Sequence, residues 1–437
     1  MAATVATTGP SWTTSIGKAS WRALAASWLG WMFDGYESYS LVLVMTPAVR
    51  QLLSPERLPK ASIYAGGLLA VTLLGWAAGG VAAGVLADYL GRRRTLMLSI
   101  LCYAVFAGLA ALSWNYWSLL VFRFLTGLGL GAEWGPGAAI VAEFWPPASR
   151  GRAGGVLHAA YGVGLLLAAG IWLLLNRFGT SWRYMFVIGI LPALLLLYVR
   201  RCVDEPALWI AANRNRQEAQ KRLEMGGASR LDMELAQFTV ARILSDPELR
   251  RRVGLLLLMA ITTVVPWWSA STWIPEFAAQ SPTSVSSSLA GLMFSAGSIA
   301  GFLAMGLLGD FVGRKSAIWL YYLGALVVSL CFFLLVTEKG AMLIMAVANG
   351  FFSSGQFAWM TIYLPELFPT RVRGTAMSLV FDSSRAVAVL CPVLAGWLIS
   401  SLGGIGPAGA AMSLVYLLGL IVTPFAGPET KGKPLPA

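Results

Sequence analysis

The stretch Gly84-Val-Leu-Ala-Asp88-Tyr-Leu-Gly91-Arg92-Arg93 lies between two long apolar segments and returns as Gly306-Leu-Leu-Gly-Asp310-Phe-Val-Gly313-Arg314-Lys315, with every key position identically spaced. Asp88 and Asp310 are 222 positions apart, and Glu143-Phe-Trp-Pro146 meets Glu366-Leu-Phe-Pro369 at an offset of 223. Two distant matches at offsets one residue apart mark an internal duplication. Glu205-Pro206 and Pro428-Glu429 close the two halves with a similar acidic and proline stop. Repeats in a membrane chain point to a transporter.

Composition supports a lipid environment. The 437 residues are 57% hydrophobic and 12% charged, with a mean hydropathy of +0.69, and apolar runs of about 20 residues recur along the chain. The net charge of +12 sits in short clusters between apolar runs, so topology explains it better than a nucleic-acid partner does. Cys102, Cys202, Cys331 and Cys391 are isolated, without metal-ligand spacing, and read as packing residues. The N-terminus is Ser/Thr-rich to about Ser20 and the first apolar span carries acids; no cleavable signal peptide is expected there.

Twelve spans are predicted, centred near residues 33, 74, 104, 130, 164, 192, 264, 299, 326, 353, 387 and 416. The fold class is therefore all-α integral membrane, with twelve transmembrane helices in two pseudo-symmetric six-helix bundles. The expected organisation is a cytoplasmic tail over 1–20, an N-terminal bundle over 21–200, a cytoplasmic linker over 201–251, a C-terminal bundle over 252–427 and a cytoplasmic tail over 428–437. With the N-terminus inside, 24 of the 32 Lys and Arg fall on the cytoplasmic side, which predicts both termini cytoplasmic in a multi-pass protein of the cell (inner) membrane. The central segment, with Asn213-Arg-Asn-Arg216 and Lys221-Arg222, suits short helices along the membrane surface; we take it as a solvated linker. Glycine is dense in spans 2, 4, 5 and 8, where missing side chains let helix backbones approach and slide.

The two Gly-x-x-x-Asp-x-x-Gly-Arg-Arg/Lys loops resemble the signature of the major facilitator superfamily, and the resemblance covers essentially the whole chain. Arg123-Phe-Leu-Thr-Gly127-Leu-Gly129-Leu-Gly131, Pro365-Glu366-Leu-Phe-Pro369-Thr-Arg371-Val-Arg373-Gly374 and Pro428-Glu429-Thr430-Lys431-Gly432 look like the branch holding sugar porters and organic-acid symporters. Asp34-Gly35-Tyr36-Glu37 resembles the acidic signature of aromatic-acid proton symporters, with Glu in place of the second Asp. Gly129-Leu-Gly131-Ala-Glu133-Trp134-Gly135 looks more like sialic-acid and lactate symporters. Where sugar porters carry Gln-Gln and Pro-Trp pairs, this chain reads Val265-Pro266-Trp267-Trp268 and Gly355-Gln356-Phe357-Ala358-Trp359, which argues against sugar. In the family, contacts of the repeated loops latch the cytoplasmic gate. The resemblance thus implies that Asp88 and Asp310 accept bonds at helix starts, while Arg92, Arg93, Arg314 and Lys315 pair with Glu143 and Glu366.

An ionised side chain at the bilayer centre costs about 3 kcal/mol, so each needs a partner, water or a function. Asp34 lies twelve residues after Arg22, about 18 Å along a helix, and Glu37 is one turn further on the same face. Two close carboxylates repel in a low dielectric, so one of them is a candidate to hold the coupling proton. The alternative is a structural ion pair with Arg123. Glu133 is matched across the repeat by Gln356, an acid and an amide at equivalent positions, the asymmetry a directional proton site needs; it could instead bond backbone or His158. Arg385 reaches a depth like that of Asp34 and carries the planar fork that grips a carboxylate, unless it is neutralised by Asp382 one turn earlier. Asp34, Glu37 and Glu133 are the proton-coupling candidates. Arg123, Arg385, Gln356, Trp267, Trp268 and His158 are the substrate-binding candidates, with interface anchoring the alternative for the tryptophans and packing that for His158.

No catalytic triad, phosphate loop or metal-ligand cluster is read, and neither enzymatic activity nor a cofactor is expected. The expected function is proton-coupled uptake of a small organic anion by alternating access, with the bilayer, protons and that acid as partners and one chain forming a complete pathway. A proton-coupled sugar symporter or drug/proton antiporter is the alternative. A nutrient sensor fits least, because only eight residues follow Glu429 where sensors append a long tail.

Overall fold

The computed structural model describes residues 16–281 and 285–436; most of the expected N-terminal tail, residues 1–15, lies outside the described residues. The described residues form helices and turns, with no strand among them. The first six spans are Lys18–Leu52, Ala61–Leu90, Arg92–Ala111, Tyr116–Phe144, Arg150–Arg177 and Arg183–Cys202. The second six are Pro247–Gln280, Ser287–Val312, Arg314–Leu335, Lys339–Leu367, Arg373–Ala388 continued by Cys391–Leu402, and Ile405–Phe425. Each predicted centre falls inside one of them.

Local chemistry sets the boundaries. Asn115 accepts the Ser118 amide at 2.8 Å and closes a capping box before span 4. Asp246 accepts the amides of Glu248 and Leu249 ahead of Pro247, which occupies the first helical position of span 7, where its missing N–H leaves no gap in the ladder. Spans 2 and 3, and spans 8 and 9, are separated by one residue each: Gly91 at φ 104° and Gly313 at φ 101°. That left-handed backbone favours glycine.

Among the described residues, nine helices are long and apolar enough to cross a membrane. The three spans outside that set, 1, 4 and 11, carry Asp34 and Glu37, Arg123 and Glu133, and Asp382 and Arg385. In spans 1 and 4 the buried charges lower the hydropathy, whereas span 11 is divided into helices of 16 and 12 residues; each run of about 30 residues still spans a bilayer.

Within the first half, span 4 packs on spans 2 and 3 and span 1 packs on span 5; the halves meet where span 5 lies on span 8 and span 2 on span 11. Glycine decides these crossings. A Cβ on Gly131 would run into the Trp76 carbonyl, and Gly155 and Gly306 stand against each other across the 5–8 crossing, the small-residue contact that brings membrane helices together.

The central segment folds as helices Ala207–Glu224, Arg230–Ala236 and Thr239–Ser245. Arg214 and Arg230 are solvated as expected, but the inner face is not a free linker. Arg216 is buried and donates to the Asp88 carbonyl at 2.8 Å and the Arg371 carbonyl at 3.0 Å, and Trp209 Nε1 reaches the same Asp88 carbonyl. The last carbonyls of span 2 have no helical partner, and these side chains supply it.

Candidate functional site

The candidate proton and substrate residues lie on spans 1, 4, 5, 7, 10 and 11. Arg385 is buried, and its guanidinium carbon stands 3.9 Å from the Phe381 ring centre, 4.1 Å from that of Trp76 and 5.8 Å from that of Trp31. Aromatic faces attract the cation and leave its N–H edge free. Asp382 takes one bond from Arg385 Nη1 at 3.3 Å, a single contact and not a two-pronged grip. The remaining edge opens on a narrow cavity of about 420 Å³, mouth included, which His158, Trp267 and Trp268 also line. His158 packs among the rings of Trp31, Phe302 and Phe357, and makes no bond to Glu133. Trp267 Nε1 donates to Ser354 Oγ at 2.8 Å. Span 7 remains one helix through Pro266 and Pro275, so its tryptophans reach the cavity from an unbroken helix.

The other two substrate candidates stand elsewhere. Arg123 donates to Glu37 at 3.0 Å with both side chains fully buried and lies over the Phe186 ring; it ties span 4 to span 1. Gln356 is buried and donates to the Ser353 carbonyl. Asp34 and Glu133 are each within 1% of complete burial, yet among the described residues no group meets hydrogen-bond geometry at any of their four carboxyl oxygens. Asp34 lies within electrostatic reach of Glu133, Glu37, Asp382 and Arg385. Glu133 fits against Gly30, where a Cβ would overlap its carboxyl.

The repeated loops build a second, symmetric cluster. Asp88 accepts Gly374 N at 3.1 Å, Thr375 N at 2.8 Å and Thr375 Oγ1 at 2.7 Å, and so caps span 11 of the opposite half. Asp310 accepts Gly151 N and Arg152 N, both at 3.0 Å, and caps span 5. Helix N-termini favour such anions through their free amides and dipole. Arg92 joins Asp88 to Glu143 at 3.0 and 3.3 Å, and Arg314 joins Asp310 to Glu366 at 2.8 and 2.9 Å.

Arg93 and Lys315 do not share in this, which corrects the expected pairing. Adjacent helical residues point about 100° apart, so these two turn outward: Arg93 to the Arg200 carbonyl and Lys315 to the Pro424 carbonyl. The partners that cross between halves are Arg373, 2.6 Å from Glu143, and Arg150, 3.1 Å from Glu366. The sequence held a signal for them, since each arginine follows the glutamate of its own half by seven positions.

The acidic stops have a structural meaning too. Glu205 accepts the amides of Arg93 and Arg94 at the start of span 3, and Glu429 accepts those of Arg314 and Lys315 at the start of span 9. Burial raises the Glu205 carboxyl above its ordinary range despite these donors. Burial also pushes Glu429 up, but the amides of Arg314, Lys315, Lys431 and Thr430 outweigh it and hold the group below the usual range.

The sequence model of the Major Facilitator Superfamily matches residues 27–339 and again 256–437. The chain belongs to that superfamily. It is 31% identical to a "putative metabolite transport protein" of Haemophilus influenzae over 97% of this chain and 100% of that one. It is 29% identical to a "probable 4-methylmuconolactone transporter" of Cupriavidus pinatubonensis, covering 93% and 90%, and 26% identical to the "niacin transporter NiaP" of Acinetobacter baylyi, covering 96% of each. Among solved structures it resembles the proton:xylose symporter XylE at a TM-score of 0.77 and 20% identity, covering 95% of this chain and 98% of that one. That likeness shows the fold: twelve helices in two six-helix bundles. The superfamily member is a secondary transporter in a membrane, not an enzyme.

Proposed function

We propose that the transporter couples inward proton movement to uptake of a small organic carboxylate by alternating access. The observation that carries the reading is Arg385: a buried cation with one long bond to Asp382, its free edge in an aromatic-lined cavity, within electrostatic reach of Asp34, whose carboxyl oxygens meet no hydrogen-bond partner among the described residues. A substrate carboxylate would displace Asp382 from Arg385, and the resulting excess of acid would be relieved by a proton on Asp34, Glu37 or Glu133. Glu37 is the weakest of the three because Arg123 already pairs with its Oε2.

Relatives named for carrying niacin, muconate and sialic acid support a carboxylate cargo. The cavity wall argues against a sugar: of the lining side chains only Tyr161 offers an oxygen, and it is engaged with Ser38. In this reading the moving bodies are residues 21–200 and 252–427, the segments 201–251 and 428–437 lie on the cytoplasmic side of the inner membrane with the N-terminus, and one chain suffices. The gate is the pair of clusters around Asp88, Arg92 and Glu143 and around Asp310, Arg314 and Glu366, which part when the halves rock.

Purified protein in liposomes containing a pH-sensitive dye, given a carboxylate panel and then a neutral sugar panel, tests this. Proton entry with an acid alone is expected. Entry with sugars alone would sink the carboxylate assignment, and silence from both would favour an exporter.

A further inference from the structure

Six tyrosines are among the largest fully buried side chains. Four have bonded hydroxyls: Tyr36 to the Met185 carbonyl, Tyr321 to Gly301, Tyr322 to Met259 and Tyr363 to Pro428. The hydroxyls of the other two, Tyr103 and Tyr416, meet no partner at full hydrogen-bond geometry among the described residues. Tyr103 faces Glu133 and Tyr416 faces Gln356, the acid and the amide at equivalent positions of the duplication. A phenol buried without a bond is costlier than phenylalanine of the same shape, so packing does not explain either oxygen.

The setting of Tyr103 is built by glycines. Gly129, one turn before Glu133, lets the Tyr103 backbone close onto span 4, where a Cβ would meet Tyr103 N and Cβ; Gly30 of span 1 makes the notch that receives the Glu133 carboxyl. A phenol and a carboxyl are thereby held side by side, within interaction reach of each other. The charged and titratable groups around them are Asp34 and Glu37 from span 1, with Arg123 engaged by Glu37, and beyond Asp34 the Tyr161 hydroxyl, Asp382 and Arg385.

We propose that Tyr103 is a positioning residue of the proton site: its hydroxyl donates to Glu133 when that carboxylate is ionised and releases it when the carboxyl takes up a proton. This rests on the proton-coupled reading above. Tyr416, facing an amide that does not titrate, is the built-in control.

The test follows the carbonyl stretch of protonated Glu133 by infrared difference spectroscopy, during a pH titration of the purified full chain without substrate. Loss of the band in Glu133→Gln assigns it. Removing a donor to a charged group moves a titration by about one to two pH units, so Tyr103→Phe is expected to shift the midpoint upward by that amount. Tyr416→Phe is expected to leave it in place. An unmoved midpoint in Tyr103→Phe, an equal shift in Tyr416→Phe, or no titrating Glu133 band in the parent would each overturn the proposal, as would a Tyr103→Phe protein that fails to fold, which would make the phenol structural. Failure of proton coupling shows separately, as absent proton flux with the acid panel.

Discussion

Replacing Arg373 with alanine isolates one contact between the halves. Its guanidinium is fully buried and makes three bonds: Nε to the Pro365 carbonyl at 3.0 Å, Nη1 to Glu143 at 2.6 Å and Nη2 to the Pro436 carbonyl at 2.9 Å. Only the second joins the first half to the second. Removing one partner of a buried pair costs about 3–5 kcal/mol because the other charge is stranded. Here Glu143 keeps Arg92 at 3.3 Å, so we take about 2 kcal/mol as the loss specific to the closed gate, equivalent to a shift of about 30-fold toward the open gate. The twin pair of Arg150 and Glu366 remains and keeps the open state a minority. Ser378 reports this opening, since it is buried between the halves against Gly84. In a chain with Cys102, Cys202, Cys331 and Cys391 replaced, a Ser378→Cys thiol should react with a small maleimide about 30-fold faster once Arg373 is alanine. A rate within about twofold of the parent would refute the assignment of this pair as a gate contact.

Three further outcomes follow from the same geometry. Arg385→Ala should abolish acid uptake while membrane insertion and yield hold; undiminished uptake removes Arg385 from the site. Glu37→Gln strands the buried Arg123 and should cost about 3–5 kcal/mol, seen as a lower melting temperature in detergent. Adding Arg123→Gln should recover part of that loss, and a double variant as unstable as the sum of the two singles would contradict a direct pair. Glu429 is held below the ordinary carboxylate range in the folded chain, so its contribution is full above the unfolded value near about 4.3 and fades as pH falls through the lower folded value. Glu429→Gln should therefore flatten the acid side of the thermal-stability profile, and an unchanged acid slope would count against the cap.

Legibility in the sequence followed the range of the interaction. Hydropathy runs, the 222-residue echo of Asp88 in Asp310 and the positive clusters are local or repeated quantities, so span number, duplication and family were readable. The three spans carrying buried charge announced themselves because an ion in hydrocarbon is too costly to be incidental. Pairing was another matter. That Arg123 serves Glu37, that Arg93 and Lys315 turn away from the gate, and that Arg373 and Arg150 cross it depend on rotation about helix axes and on which helices face across the crossings. The aromatic cage of Arg385 draws Trp31, Trp76 and Phe381 from three spans, and the notch for Glu133 comes from a glycine more than 100 positions away. Sequence alone determined which charges must be accounted for, because burial energy depends on the residue and its depth. Tertiary structure decided which partner accounts for each, because a bond of about 3 Å exists only once two helices have been set against one another.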